Sequence, residues 1–231
     1  MSGPALELID VEFSWSGQLG FSLSVPELSV PSGQSVLLLG ESGSGKSTLL
    51  SLICGTILPN AGAVRVNGQD VSHMKASARD RFRAENVGII FQQFNLLPFG
   101  TVEDNIRLPL RFAPERRNRT GDVKKEILRL CGGLGLSKNI IPQKANTLSV
   151  GQQQRVAVAR ALIGQPPLIV ADEPASALDE TSQKAFLDLL FRQLEERDAT
   201  LLMVSHDPRL ADRFDRVINM EDIVLKGRTA A

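Results

Sequence analysis

Gly40-Glu41-Ser42-Gly43-Ser44-Gly45-Lys46-Ser47-Thr48 is the stretch on which the reading of this 231-residue chain turns. It fits the Gly-x-x-x-x-Gly-Lys-Ser/Thr pattern of a phosphate-binding loop, and it sits where that pattern has to sit. Ahead of it, Ser35-Val36-Leu37-Leu38-Leu39 is a continuous apolar run typical of a buried parallel strand. Behind it, Leu49, Leu50, Leu52 and Ile53 recur at helical spacing until Gly55 and Pro59 end the helix. Glycines let successive backbone N–H groups close around phosphate oxygens at the positive end of a helix dipole. Lys46 is then placed to reach β- and γ-phosphates, and the Ser47 hydroxyl to ligate Mg²⁺. Gly40, Ser42, Gly43, Ser44, Gly45, Lys46, Ser47 and Thr48 are accordingly the expected nucleotide contacts.

A second phosphate-facing segment lies about a hundred residues on, at Leu148-Ser149-Val150-Gly151-Gln152-Gln153-Gln154-Arg155. Ser149 and Gln152 have the spacing of a Ser-x-x-Gln capping box, for a helix predicted over Gly151–Ile163. Its free N–H groups make an anion site, with Ser149, Gly151 and Gln152 at its mouth. One chain already has its phosphate loop, so a second anion site points to nucleotide shared between two chains.

Leu168-Ile169-Val170-Ala171 is an apolar strand that ends in Asp172-Glu173-Pro174. In a parallel sheet the C-terminal strand ends border the ligand crevice, so both acids are expected beside the phosphate loop. Asp172 suits Mg²⁺ ligation, while Glu173 can reach further and orient or deprotonate an attacking water. His206 follows the apolar strand Thr200–Val204 and is placed to contact a γ-phosphate. Gln92 follows Val87–Phe91 and can meet Mg²⁺ or the water. Trp15, the only tryptophan, either packs in the core or stacks face-on with adenine. His73, in a polar stretch, is expected on the surface.

Lys plus Arg and Asp plus Glu both total 26, so net charge gives no argument for nucleic acid or an anionic membrane as the main partner. Apolar runs are strand-length, short of the ~20 residues of a membrane span. The opening Met1-Ser2-Gly3-Pro4-Ala5 shows no secretory pattern. Cys54 and Cys131 lie in no metal or redox spacing and read as free thiols in a reducing cytosol. The expectation is a soluble cytosolic protein.

In the first third, Leu6/Leu8, Phe21/Leu23/Val25 and Val64/Val66 alternate with polar residues, and Asn67-Gly68 is a hairpin signal. That predicts an antiparallel sheet with one wet face. Continuous apolar strands at Val36–Leu39, Val87–Phe91, Leu168–Ala171 and Leu201–Val204, with helical patterns between several of them, predict a parallel sheet flanked by helices. From about Phe94 to Thr147 such strands are missing, and the segment reads as a small helical insert. Its basic cluster, Arg111 to Arg119, reads as a solvated loop with no ligand. Asp122 to Leu130 resumes a helical pattern that Gly132-Gly133 interrupts, and helix Glu180–Arg197 is expected to bury Phe186, Leu189, Leu190 and Leu194. The fold class expected is α/β, a P-loop NTPase with a RecA-like parallel core, an N-terminal antiparallel subdomain and a helical insert. Residues 1–92 and 150–231 would form the core and 93–149 the insert, as one nucleotide-binding domain.

Together these residues resemble the nucleotide-binding subunits of ATP-binding cassette transporters, in family order over nearly the whole chain. Gly40–Thr48 looks like Walker A, Gln92 the Q-loop, Leu148–Arg155 the signature and Leu168–Glu173 Walker B. Ser176-Ala177-Leu178-Asp179 is similar to the D-loop, which adds Asp179 to the nucleotide contacts, and His206 to the switch histidine. Trp15 takes the place of the aromatic A-loop residue. The stretch Phe91–Pro98, with Thr101–Ile106 and Leu108–Leu110, resembles the branch of lipoprotein-releasing, macrolide-exporting and cell-division ATPases. The resemblance implies ATP and Mg²⁺ as cofactors, and a second copy of the chain and a separate transmembrane permease as partners, with no nucleic acid. It places the chain at the cytoplasmic face of the cell membrane, working in export or mechanotransmission. A soluble ATPase of the same superfamily, without a permease, is the alternative. Two departures stand out: Val150 replaces the first glycine of Leu-Ser-Gly-Gly-Gln, and Glu221-Asp222-Ile223 stands where Asp-Gly is common.

Overall fold

The computed structural model describes residues 3–15, 21–176, 178–197 and 199–224. In chain order the elements are β1 (Leu6–Ser14), β2 (Ser22–Val30), β3 (Ser35–Leu39), α1 (Lys46–Ile53), β4 (Ala61–Val66), β5 (Gln69–Asp70), α2 (Ala76–Asn86) and β6 (Val87–Ile90). Next come α3 (Val102–Arg107), α4 (Pro114–Thr120), α5 (Val123–Gly133), α6 (Val150–Leu162), β7 (Leu168–Asp172), α7 (Glu180–Glu195), β8 (Thr200–Ser205), β9 (Arg216–Asn219) and α8 (Met220–Ile223). Short 3₁₀ turns join several of them.

The chain forms two compact units, residues 1–83 with 200–231, and residues 84–199. The first holds an antiparallel sheet in the order β2-β1-β4-β5 and parallel strands in the order β8-β3-β9. Alternation produces the antiparallel sheet as expected: Leu6, Leu8 and Val11 of β1 are buried while Glu12 is exposed. Asn67 and Gly68 both take positive φ, 49° and 74°, and turn β4 back into β5. The parallel strands are apolar throughout. β8 is buried along its whole length, and Val36, Leu37 and Leu38 of β3 are fully enclosed.

Register aligns the ends of the parallel strands. Leu39, the last residue of β3, pairs with Ser205 on one side and Asn219 on the other. The segments leaving β3, β8 and β9 therefore start side by side at the C-terminal ends of parallel strands, where ligand crevices form.

In the second unit β6 pairs in parallel with β7, and Ile90 lies opposite Ala171. Phe91-Gln92 and Asp172-Glu173 thus leave neighbouring strand ends. Helix α6 runs through the middle of this unit, with every residue from Val156 to Leu162 buried. Three details differ from the sequence reading. Helix α5 continues through Gly132 and ends at Gly133, and α7 buries Leu187 and Gln193 while Leu189 stays partly exposed. The third concerns the basic cluster.

Arg116 is 1% exposed. Its Nε donates to the Ile163 carbonyl and its Nη2 to that of Ala161, both at 2.6 Å, and Nη1 reaches the carbonyls of Ala84 and Val87. Arg119 Nε donates to Gly164 O and Arg197 Nη1 to Leu162 O. Ala161 and Leu162 end α6 and Ile163 and Gly164 follow it, so three guanidinium groups satisfy the carbonyls at the negative end of its dipole. The cluster from 111 to 119 is therefore partly a buried anchor, because that helix end lies in apolar surroundings where unpaired carbonyls are costly.

Candidate active site

The loop after β3 closes on itself before it enters α1. Lys46, almost fully buried, donates from Nζ to the Gly40 carbonyl at 2.6 Å and to the Glu41 carbonyl at 2.8 Å. The ammonium is thereby held across the mouth of its own loop. Gly45 starts α1 at φ 100°, with Phe21 and Leu23 at 3.2 and 3.3 Å from where a β-carbon would stand, so only glycine suits the position. No side chain caps this helix start. The positive end of the α1 dipole therefore lies at the loop with no side-chain acceptor on it, as a site for an anion requires.

A pocket of about 300 Å³ lies against this loop. Gly40, Glu41 and Ser44 form one wall, His206 comes from the end of β8, and Met220 and Glu221 from the end of β9. A β-carbon on Gly40 would collide with Ser44 Oγ at 2.7 Å and with Met220 at 2.8 Å. The Ser44 hydroxyl is buried and has no hydrogen-bond partner among the described residues. Leaving such a group unmade costs about 1–3 kcal/mol, which an arriving acceptor oxygen would recover. Buried donor, enclosed ammonium, bare helix start and absent β-carbons fit a phosphate chain. The first unit thus brings Gly40, Ser44, Lys46 and His206 together. Ser47 stands exposed in the first turn of α1, and Trp15 is 41% exposed with its ring edge-on to Phe13, so it is not a core residue.

Among the described residues no group of three His, Cys, Asp or Glu side chains could hold a metal ion. A divalent cation here would rest on phosphate oxygens and single protein ligands, which is how Mg²⁺ is held with nucleotides.

In the second unit, Glu173 follows β7 in the left-handed region at φ 42°, a strained conformation for a side chain of this size. Ser176 holds the turn closed, its N–H and Oγ both donating to the Glu173 carbonyl. Gln92 Nε2 lies 3.5 Å from Ser176 Oγ, so the segment after β6 meets the turn after β7. Gln154, a buried residue of α6, donates from Nε2 to the Pro174 carbonyl. Arg160, two turns further along α6, donates to the Phe94 and Asn95 carbonyls at 2.6 Å each and lies over the Phe91 ring. Burial pushes the Arg160 pKa down.

The capping box at the start of α6 is formed in full: Gln152 Oε1 accepts from Ser149 N, and Ser149 Oγ accepts from Gln152 N. Ser149 and Val150 are exposed, with Val150 in helical conformation at the first position. Asp179 caps α7 through Ser182 N, and the Ser182 hydroxyl and amide hold its carboxylate below the usual range. Ala177 of the same stretch lies outside the described residues. His73 is exposed beside Asp70, as expected. Met220, Ser176, Gln154 and Arg160 were not legible as site residues, since their places depend on strand register and on which face of α6 is inward.

Parallel strands, an antiparallel sheet and a phosphate loop leading into a helix define a P-loop NTPase. A family model described as ABC transporter matches residues 23–176, and the chain belongs to that family as an ATP-binding subunit that hydrolyses ATP. It is 37% identical to the lipoprotein-releasing system ATP-binding protein LolD of Syntrophotalea carbinolica, over 87% of this chain and 86% of that one. It is 39% identical to the macrolide export ATP-binding/permease protein MacB of Rhodopirellula baltica, over 84% of this chain but only 28% of that protein. Among solved structures, the dimeric post-hydrolysis state of the cassette MJ0796 bound to ADP and Pi superposes with a TM-score of 0.76. That chain is 32% identical, and 93% of each chain is covered.

Proposed function

We propose that this chain is the motor of a transporter, in which two copies close on ATP and the closure drives a separate membrane-spanning permease in export or mechanotransmission. The observation that carries the reading is that one chain presents two phosphate-ready helix starts. One is the bare N-terminus of α1 beside the Ser44 pocket, the other the capped, exposed N-terminus of α6. Each nucleotide would be held by Gly40–Thr48 of one chain and Ser149, Gly151 and Gln152 of its mate, with Asp179 contributing and Trp15 stacking on adenine. The dimeric cassette MJ0796 bound to ADP and Pi supports this arrangement.

Ser47, Gln92 and Asp172 would hold Mg²⁺, which when bound neutralises phosphate charge. Glu173 deprotonates the attacking water, and His206 and Gln92 orient it and the γ-phosphate. Closure becomes ATP-dependent because the capped end of α6 gains its favourable contact only with the γ-phosphate present. Among the described residues no helix is long and apolar enough to cross a membrane. The names of the relatives, a lipoprotein-releasing system and an ATP-binding/permease protein, support a permease partner and a place on the cytoplasmic membrane face.

The test is Glu173→Gln. ATP binding should persist while turnover falls about 10²- to 10⁴-fold, the scale for removing a positioned base, and a closed dimer should accumulate with ATP in size-exclusion chromatography. Turnover at the parent rate would remove the base assignment, and a strictly monomeric, ATP-loaded variant would remove the shared site.

A further inference from the structure

We propose that Gln154 is a positioning residue that couples the phosphate-facing start of α6 to the Glu173 turn of the same chain. The inference rests on the reading of Glu173 as the base and adds the path by which that base is set.

Helix α6 is fixed at one end and presented at the other. Its C-terminal carbonyls are held by Arg116, Arg119 and Arg197. Its N-terminus carries its own capping box, with Gln153 donating to the Leu148 carbonyl and Arg155 to that of Gly135, and stands exposed at Ser149 and Val150. A force at the N-terminus therefore pivots the helix about an anchored end, and its first two turns move most. Gln154 lies in that part, is 1% exposed, and its Nε2 donates to the carbonyl of Pro174. Pro174 is buried and is bonded directly to Glu173, whose backbone stands at φ 42°. Proline fixes its own φ, so a pull on its carbonyl is passed to the preceding peptide with little slack. Ser176 grips the Glu173 carbonyl from the other side, which makes the turn a closed unit that moves as one. Strain of this kind persists only where the surroundings over-determine it, and Gln154 supplies a buried contact from outside the turn, beside that of Gln92 with Ser176.

The consequence is chemical. When the start of α6 takes up a phosphate, the shift reaches the Glu173 carboxylate of the same chain through a single buried hydrogen bond. Proton transfer to a base depends steeply on its placement, so the coupling acts on turnover rather than on ATP capture.

The experiment compares Gln154→Met, which keeps length and deletes the donor, with Glu173→Gln and with the double variant in the full chain. Gln154→Met should lower kcat about 10- to 100-fold, the effect of misplacing a catalytic group by an ångström, while KM for ATP stays within about twofold. The double variant should be no slower than Glu173→Gln alone, because Gln154 acts only through Glu173. Losses in kcat from the two single changes that multiply in the double would overturn the proposal, as would an unchanged kcat in Gln154→Met. Parent-like turnover in Glu173→Gln would instead overturn the base reading on which it rests. Should Gln154→Met fail to melt cooperatively, hydrogen exchange on Glu173→Gln serves in its place. Amides of Gly151–Arg155 and of Ala175–Ser176 should gain protection with one midpoint as ATP and magnesium are added. Two separate midpoints, or protection at one segment alone, would sink the coupling.

Discussion

Burying the Arg116 guanidinium requires stripping water from a full charge, and the surroundings offset this with four carbonyl oxygens and the nearby Glu85 carboxylate. Glu85 itself accepts from the backbone N–H groups of Glu115 and Arg116. Burial and the neighbouring Arg119 draw the Arg116 pKa down to about 9, so the group stays charged at neutral pH. Removing it leaves several buried carbonyls unpaired and takes a nearby positive charge from Glu85, which keeps its two backbone N–H donors. Arg116→Met should therefore lower unfolding free energy by about 3–5 kcal/mol in urea, since each buried carbonyl left unmade costs about 1–3 kcal/mol. Arg116→Lys should recover only part of this, because a point charge cannot fork to Ala161 and Ile163 together. A loss under about 1 kcal/mol for Met, the value of an exposed pair, would show the anchor to be idle. Nothing local marks this role. In sequence Arg116 is one of several arginines among polar neighbours, and only the distant end of α6 selects it. Lys46 and Ser44 were legible for the opposite reason: their loop is contiguous, so spacing alone fixes their geometry.

At the scale of elements the informative case is α6. Its start was readable from four residues, Ser149 to Gln152, because a capping box is a local exchange of two hydrogen bonds. Its end was not, since the capping groups come from residues 116, 119 and 197. The parallel strands were equally readable, because strands covered on both faces leave continuous apolar runs at β3, β7 and β8. Which loops their ends bring together depends on register, as with Leu39 between Ser205 and Asn219, and a sequence does not carry that pairing. The cap at the α6 start and its proposed phosphate contact can be separated by experiment. Ser149→Ala should cost about 1 kcal/mol of stability, the usual worth of an N-cap side chain. Turnover should fall by about 10² at saturating ATP, the scale of removing one preorganised donor from a charged transition state. A variant with the expected small loss of stability and full ATPase activity would leave Ser149 a cap and nothing more.

For the molecule as a whole, the loop beside Ser44 and the capped start of α6 belong to different compact units of one chain, and each is complete in its own right. If catalysis joins the loop of one copy to the helix start of another, a defect in either is rescued by a mate that carries the opposite defect. Lys46→Ala spoils the loop and Ser149→Ala the helix start, and each pure variant should be nearly inactive because both of its composite sites contain one damaged half. In an equimolar mixture half of the pairs are mixed, and each mixed pair holds one site with both halves intact and one with both damaged. Turnover should then rise to about a quarter of the parent rate under random two-fold pairing. It should also fall on dilution, since the active species forms by mass action. Sites completed within a single chain would leave the mixture at the mean of the two pure variants at every concentration, and that result would take away the shared-nucleotide arrangement together with any engine built on it.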